Sequence, residues 1–134
     1  MLQPDREAVL GKVTELLCRR PEVVFAYAHG SFVGEGTYRD LDIAVWVNPC
    51  VTADQDPLEY EIGLSLVLER EVRGPVDVKR LNEAPLGFQY HASRGILILS
   101  RDDEVRTAWI ERVCDLYWDF EPVARRHLRE VLHG

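Results

Sequence analysis

Much is absent from this chain of 134 residues. No apolar run approaches the roughly 20 residues that a membrane-spanning helix needs. The longest runs, Ile43 to Val47 and Ile96 to Leu99, suit buried strands instead. The opening Met1-Leu2-Gln3-Pro4-Asp5-Arg6-Glu7 turns charged at once and leaves no apolar core for a secretory signal, so a cytoplasmic location is expected. Cysteine is scarce: Cys18, Cys50 and Cys114 are widely spaced, odd in number and without a C-x-x-C pair, which excludes a disulfide framework and a zinc knuckle. Basic residues do not dominate either. Lys and Arg number 16 against 23 Asp and Glu, a formal net charge of −7 that disfavours a surface tracking nucleic-acid phosphates. That charge leaves room for a basic protein partner, or for a nucleotide neutralised by metal ions. Repeats, low-complexity stretches and linkers are also missing, and the length suits one domain over residues 1–134.

What is present reads as alternating helices and strands. Val9, Leu10, Val13, Leu16 and Leu17 recur at helical spacing over residues 5–18, with Asp5 placed to cap and Pro21 just beyond the end. Val23 to Ala28 and Leu41 to Val47 are rich in β-branched and aromatic residues and read as strands joined by the loop Gly30 to Arg39. Residues 57–72 alternate strictly at Leu58, Tyr60, Ile62, Leu64, Leu66 and Leu68, yet their length and their Glu and Leu content favour a helix. A strand over Pro75 to Leu81, a short helix over Ala84 to Ala92 stopped by Gly95, and a fourth strand over Ile96 to Ser100 follow. Asp102, Asp103 and Glu104 then open a long C-terminal helical segment, which Pro122 is expected to interrupt or kink before it resumes through Leu128 to Leu132. The class is α/β or α+β, with a mixed sheet of about four strands covered by helices.

The chemistry concentrates at one end of that sheet. Gly30-Ser31 can bring backbone N–H groups and a hydroxyl to phosphate oxygens without a Cβ in the way. Asp40 and Asp42 stand two apart at the head of a strand, where alternation sends both carboxylates to one side. Asp77, between Val76 and Val78, is expected to be a carboxylate buried in an apolar strand, costly without a cation or hydrogen-bond partners. Three such acids at a sheet end would hold two Mg²⁺ ions for nucleotidyl transfer, with Asp77 also taking up a proton. Arg39, Lys79 and Arg80 are candidate cations for leaving pyrophosphate, Arg80 lying on the face opposite Lys79. Taken singly, a Gly-Ser turn or an Asp-x-Asp is common. The joint pattern favours the catalytic reading over a plain loop and a solvated strand end. His29 reads as a hydrogen-bonded strand-end histidine, and His91, His127 and His133 as surface residues. Tyr117, Trp118 and Phe120 are too many aromatic neighbours for one interior stripe, so part of that cluster could meet a partner.

The order Gly-Ser, loop, Asp-x-Asp and a later Val-Asp-Val resembles the DNA polymerase β-like nucleotidyltransferase superfamily, and the small size resembles its minimal nucleotidyltransferases. Leu81-Asn82-Glu83-Ala84-Pro85, Gly95-Ile96-Leu97-Ile98-Leu99 and the terminal helix with Tyr117 and Asp119 are similar to the antitoxin members of HEPN/MNT type VII toxin–antitoxin pairs. The loop between Ser31 and Asp40 is shorter than is usual in that group, and Val33-Gly34 stands where an Arg-Gly is often found. The resemblance implies the polymerase β-like fold, ATP as co-substrate, two Mg²⁺ ions, and transfer of AMP to a tyrosine of a cognate HEPN ribonuclease toxin, which silences it. It maps the metal acids to Asp40, Asp42 and Asp77 and the nucleotide-binding pair to Gly30 and Ser31, and it leaves homo- and hetero-oligomers open. Two other readings stand beside it: a nucleotidyltransferase acting on a small molecule such as an aminoglycoside, and a catalytically idle antitoxin that works by covering its partner.

Overall fold

The computed structural model describes residues 6–30 and 40–133. The first helix, α1 (Arg6–Cys18), buries Val9, Val13 and Leu17 at four-residue steps and stops short of Pro21. The cap expected from Asp5 lies outside the described residues. At the opposite end of α1, the last carbonyls and those of the turn beyond it are taken by a distant side chain. Arg101 donates from Nη2 to the oxygens of Leu17 at 3.1 Å, Cys18 at 2.7 Å and Arg20 at 3.2 Å, and from Nε to Val23 O at 2.8 Å.

Strands β1 (Val23–His29) and β2 (Leu41–Val47) pair antiparallel, and β1 runs one residue past the Ala28 expected from sequence. The crossover helix α2 (Pro57–Val72) has a proline in its first turn and ends on Arg73, whose φ of 56° is left-handed and whose N–H closes onto Glu69 O at 2.8 Å. Tyr60, Leu64 and Leu68 are buried while Leu58, Ile62 and Leu66 are exposed. The alternation in this segment therefore wraps around a helix, one half facing the core and the other facing out.

The crossover places β3 (Val76–Arg80) parallel to β2. Helix α3 (Leu86–Ser93) starts after Pro85, two residues later than expected, because the proline is set in an extended conformation at the cap. Strand β4 (Ile96–Ser100) returns beside β1, giving a four-stranded mixed sheet in the order β3-β2-β1-β4. The terminal helix α4 (Asp103–His133) is capped where Val105 N–H donates to Asp102 Oδ1 at 3.1 Å. Its helical assignment is continuous through Pro122, so the expected interruption is absent. Proline removes one backbone donor, and long helical segments on either side keep the helix running past it.

The two faces of the sheet have separate cores. One, against α1 and α2, gathers Ala26, Ala28, Leu41, Ile43, Val45, Val76 and Val78. The other, against α3 and α4, is aromatic: Phe25 stacks on Trp46 with centroids 5.8 Å apart and packs tilted against Trp109 at 5.0 Å, and Trp109 Nε1 donates to Gln89 Oε1 at 2.8 Å. Asn82 fastens the far end of β2, accepting from Val47 N–H at 3.0 Å and donating to Val47 O at 2.9 Å. Cys18, Cys50 and Cys114 are free thiols. Among the described residues no helix is long and apolar enough to cross a membrane.

The outer edge of β3 is closed by side chains of α2. Val76 N–H donates to Glu69 Oε1 at 3.2 Å, Val78 N–H to Ser65 Oγ at 3.0 Å and Arg80 N–H to Glu61 Oε2 at 2.7 Å. Residues four apart on a helix face match amides two apart on a strand, so each outward donor of β3 meets its own acceptor.

Candidate active site

Strand register assembles the site. His29 of β1 pairs with Asp42 of β2, and Asp42 pairs in turn with Asp77 of β3. Neighbouring strands lie roughly 4.8 Å apart, and register partners project to one face, so these three residues form a row across three strands. That face is the one covered by the aromatic core, opposite α1 and α2. The next row reads Tyr27, Ala44 and Lys79, which puts Lys79 beside the acids. Arg80 is on the other face, buried under the Tyr60 ring and bonded to Glu83 at 2.7 Å, as alternation requires.

Gly30 follows directly on the row with φ of 75°, a left-handed conformation. A Cβ there would collide with the Asp42 carboxylate, so glycine is needed for the turn and for the close approach alike. Ser31 and Arg39 lie outside the described residues. Asp40 is exposed one residue before β2 begins.

The electrostatics record crowding of like charge. Burial lifts the Asp42 carboxyl above the usual carboxylate range. His29 draws it back, and the negative charges of Asp77 and Asp40 push it up again. Burial holds the His29 imidazole below its ordinary value against the pull of Asp42 and Asp77. Its ring stands edge-on to Phe88 of α3 at 5.0 Å, and Nε2 is buried with no hydrogen-bond partner among the described residues, so the hydrogen bond expected from sequence is not made at that atom.

Asp77 also departs from expectation: it is exposed, not buried. The strand that carries it is at the sheet edge, and its alternation of buried and exposed residues turns Asp77 and Lys79 outward while Val76 and Val78 enter the core. The carboxylate is thus available to a ligand.

A divalent cation fits the donor set in kind. Asp42 and Asp77 offer oxygen ligands on one face, and their mutual repulsion is what a hard cation would relieve. Among the described residues, however, no group of three or more metal-binding side chains is drawn together into a ready-made ion cage.

The mixed sheet thus carries a glycine turn and paired aspartates at one end, and a family comparison gives its class. The chain belongs to the polymerase beta nucleotidyltransferase family, whose model matches residues 11–104. Among curated proteins, no sequence matches. Solved structures do match. A chain of the tri-AMPylated Shewanella oneidensis HEPN toxin in complex with MNT antitoxin is 18% identical with a TM-score of 0.74, over 96% of this chain and 99% of that one. A chain of the toxin–antitoxin MntA–HepT is 16% identical with a TM-score of 0.72, over 94% and 98%. A chain of the toxin–antitoxin with AMP-PNP is 18% identical with a TM-score of 0.74, over 92% and 98%. At these identities the likeness establishes the fold.

Proposed function

We propose that this chain is a protein adenylyltransferase and the antitoxin of a HEPN toxin, moving AMP from ATP to a toxin tyrosine. The observation that carries the proposal is the row Asp42–Asp77 beside the left-handed Gly30, on a fold whose structural neighbours include an AMPylated HEPN toxin complex and a complex with AMP-PNP. Family membership supports nucleotide transfer, and the net charge of −7 suits a basic protein acceptor.

In the reaction the acceptor phenol oxygen forms a bond to the α-phosphorus, the bond from that phosphorus to the pyrophosphate oxygen breaks, and the phenol proton leaves. Asp77, exposed on the site's face, takes up that proton. Gly30 keeps the turn clear of a Cβ so that backbone and phosphates approach closely, and Ser31 would grip the β- or γ-phosphate. Lys79, next but one to Asp77 on the same face, offsets charge on departing pyrophosphate. Asp40, Asp42 and Asp77 would hold two Mg²⁺ ions, which when bound neutralise the triphosphate and favour ionisation of the attacking hydroxyl.

The test is intact mass of the cognate HEPN protein after incubation with the chain, ATP and Mg²⁺. Addition of whole AMP units by the wild type, and none by Asp42→Asn, is expected. An unmodified HEPN protein would refute transfer and favour an antitoxin that acts by covering. Transfer to an aminoglycoside in place of protein would favour the small-molecule reading.

A further inference from the structure

Two cavities join along the outer edge of β3. The larger, about 450 Å³, lies between the start of α2, the end of β3 and Phe88 of α3. The smaller, about 280 Å³, continues along α2 to Asp77. Leu58, Glu61 and Lys79 line both, so they form one groove along the edge strand that carries Asp77.

One wall of the groove is apolar without being core. Leu58, Ile62 and Leu66, four residues apart on α2, are 56%, 52% and 58% exposed. Nothing in the packing of the domain requires this stripe, because the opposite face of α2 already supplies Tyr60, Leu64 and Leu68 to the core. The remaining lining is mostly acidic: Asp56, Glu61, Glu69, Asp77 and Glu83 outweigh Lys79 and Arg80, whose Nη2 bonds Glu83. The outward amides of β3 already bond to Glu61, Ser65 and Glu69, which denies the groove to a main chain adding as a further strand. An occupant must therefore be held by side chains.

We infer that this groove seats the acceptor protein's own segment, one that carries the modified hydroxyl among aliphatic and Lys or Arg side chains. The inference rests on the transfer reading above and adds the surface that selects the acceptor. Aliphatic side chains of the segment lie on Leu58, Ile62 and Leu66, its cations face the carboxylates, and the hydroxyl is delivered at the Asp77 end.

The test uses the full chain and fluorescent tyrosine peptides read by anisotropy, one with Leu, Lys and Arg flanks and one with Leu, Asp and Glu flanks. The basic peptide is expected to bind and the acidic one not. The double variant Ile62→Gln, Leu66→Gln should weaken the basic peptide by about tenfold or more. Binding of a non-hydrolysable ATP analogue to that variant should stay at the wild-type value. Absence of binding by the basic peptide, equal affinity for both peptides, or wild-type affinity in the variant overturns the groove assignment. Self-association of the chain that the same variant abolishes also overturns it, by giving the stripe to a second copy. Peptide binding that passes these checks in a chain that fails to bind the ATP analogue sinks the transfer reading and leaves the groove as a binding surface.

Discussion

Replacing Gly30 separates two demands that the structure makes on one residue. Its φ of 75° costs an L-residue about 1–2 kcal/mol, and an added Cβ runs into the Asp42 carboxylate. Gly30→Ala meets both penalties. Its melting temperature should fall by about 3–10 °C, given that a domain of this size loses several degrees per kcal/mol. The carboxylate must shift by roughly an ångström to clear the methyl group, and a displacement of that size costs about 100-fold in rate. Gly30→Asn isolates the second demand, because asparagine tolerates the left-handed region better than alanine while bringing the same Cβ. The asparagine variant should recover part of the lost stability and none of the lost activity. Thermal unfolding by circular dichroism and AMP transfer to the HEPN protein are the two measurements. Gly87→Ala, at a position with nothing within 4 Å, is the control and should leave both near wild type. A Gly30→Ala protein with unchanged melting and unchanged transfer would refute the reasoning.

Other changes have signs fixed by the structure. Arg101→Ala strips four charge-assisted hydrogen bonds from the end of α1 and the start of β1, and should cost about 1.5–3 kcal/mol in urea unfolding. Because one group serves all four carbonyls, a loss under half a kcal/mol would show that water replaces it. Asp42→Asn should make the protein more stable at neutral pH while ending transfer. A carboxyl raised above its ordinary 3.8 binds a proton more readily folded than unfolded, so it withdraws stability as pH rises through the window above 3.8. The stability gap between Asp42→Asn and wild type should therefore narrow as pH is lowered toward 4 and close below about 3, where both states of Asp42 are largely protonated. An equal gap at pH 4 and pH 7, followed by chemical unfolding, would assign the effect to packing.

The elements were legible because their cores are periodic. β2, β4 and α2 run over the residues expected, and even the strand-like alternation of 57–72 resolves once Tyr60, Leu64 and Leu68 are seen to share a helix face. The other half of that alternation, Leu58, Ile62 and Leu66, is not core at all but groove. Asp42 and Asp77 were legible as candidates. Their pairing depends on β3 lying parallel to β2 in a register that no local pattern encodes. The burial expected for Asp77 failed for the same reason, since flanking valines do not say whether a strand is central or at the edge. Long-range bonds were invisible too: Arg101 reaches α1 across some eighty residues, and the amides of β3 are answered from α2. Trp118 and Phe120 are exposed on α4 while Tyr117 stacks on Tyr90 at 3.9 Å, which bears out the view that this aromatic cluster exceeds one interior stripe.

Neutralisation of the cognate HEPN toxin by the Asp77→Asn chain tests the transfer reading most directly. Asp77 is exposed on an edge strand, so the substitution should leave folding intact. Growth of cells expressing the toxin is the readout, with binding of the variant to the toxin checked by co-purification. Expected is a variant that still binds the toxin, adds no AMP and fails to restore growth. Growth restored to the wild-type level without AMP on the toxin would contradict catalysis and leave neutralisation to the covering of one protein by the other.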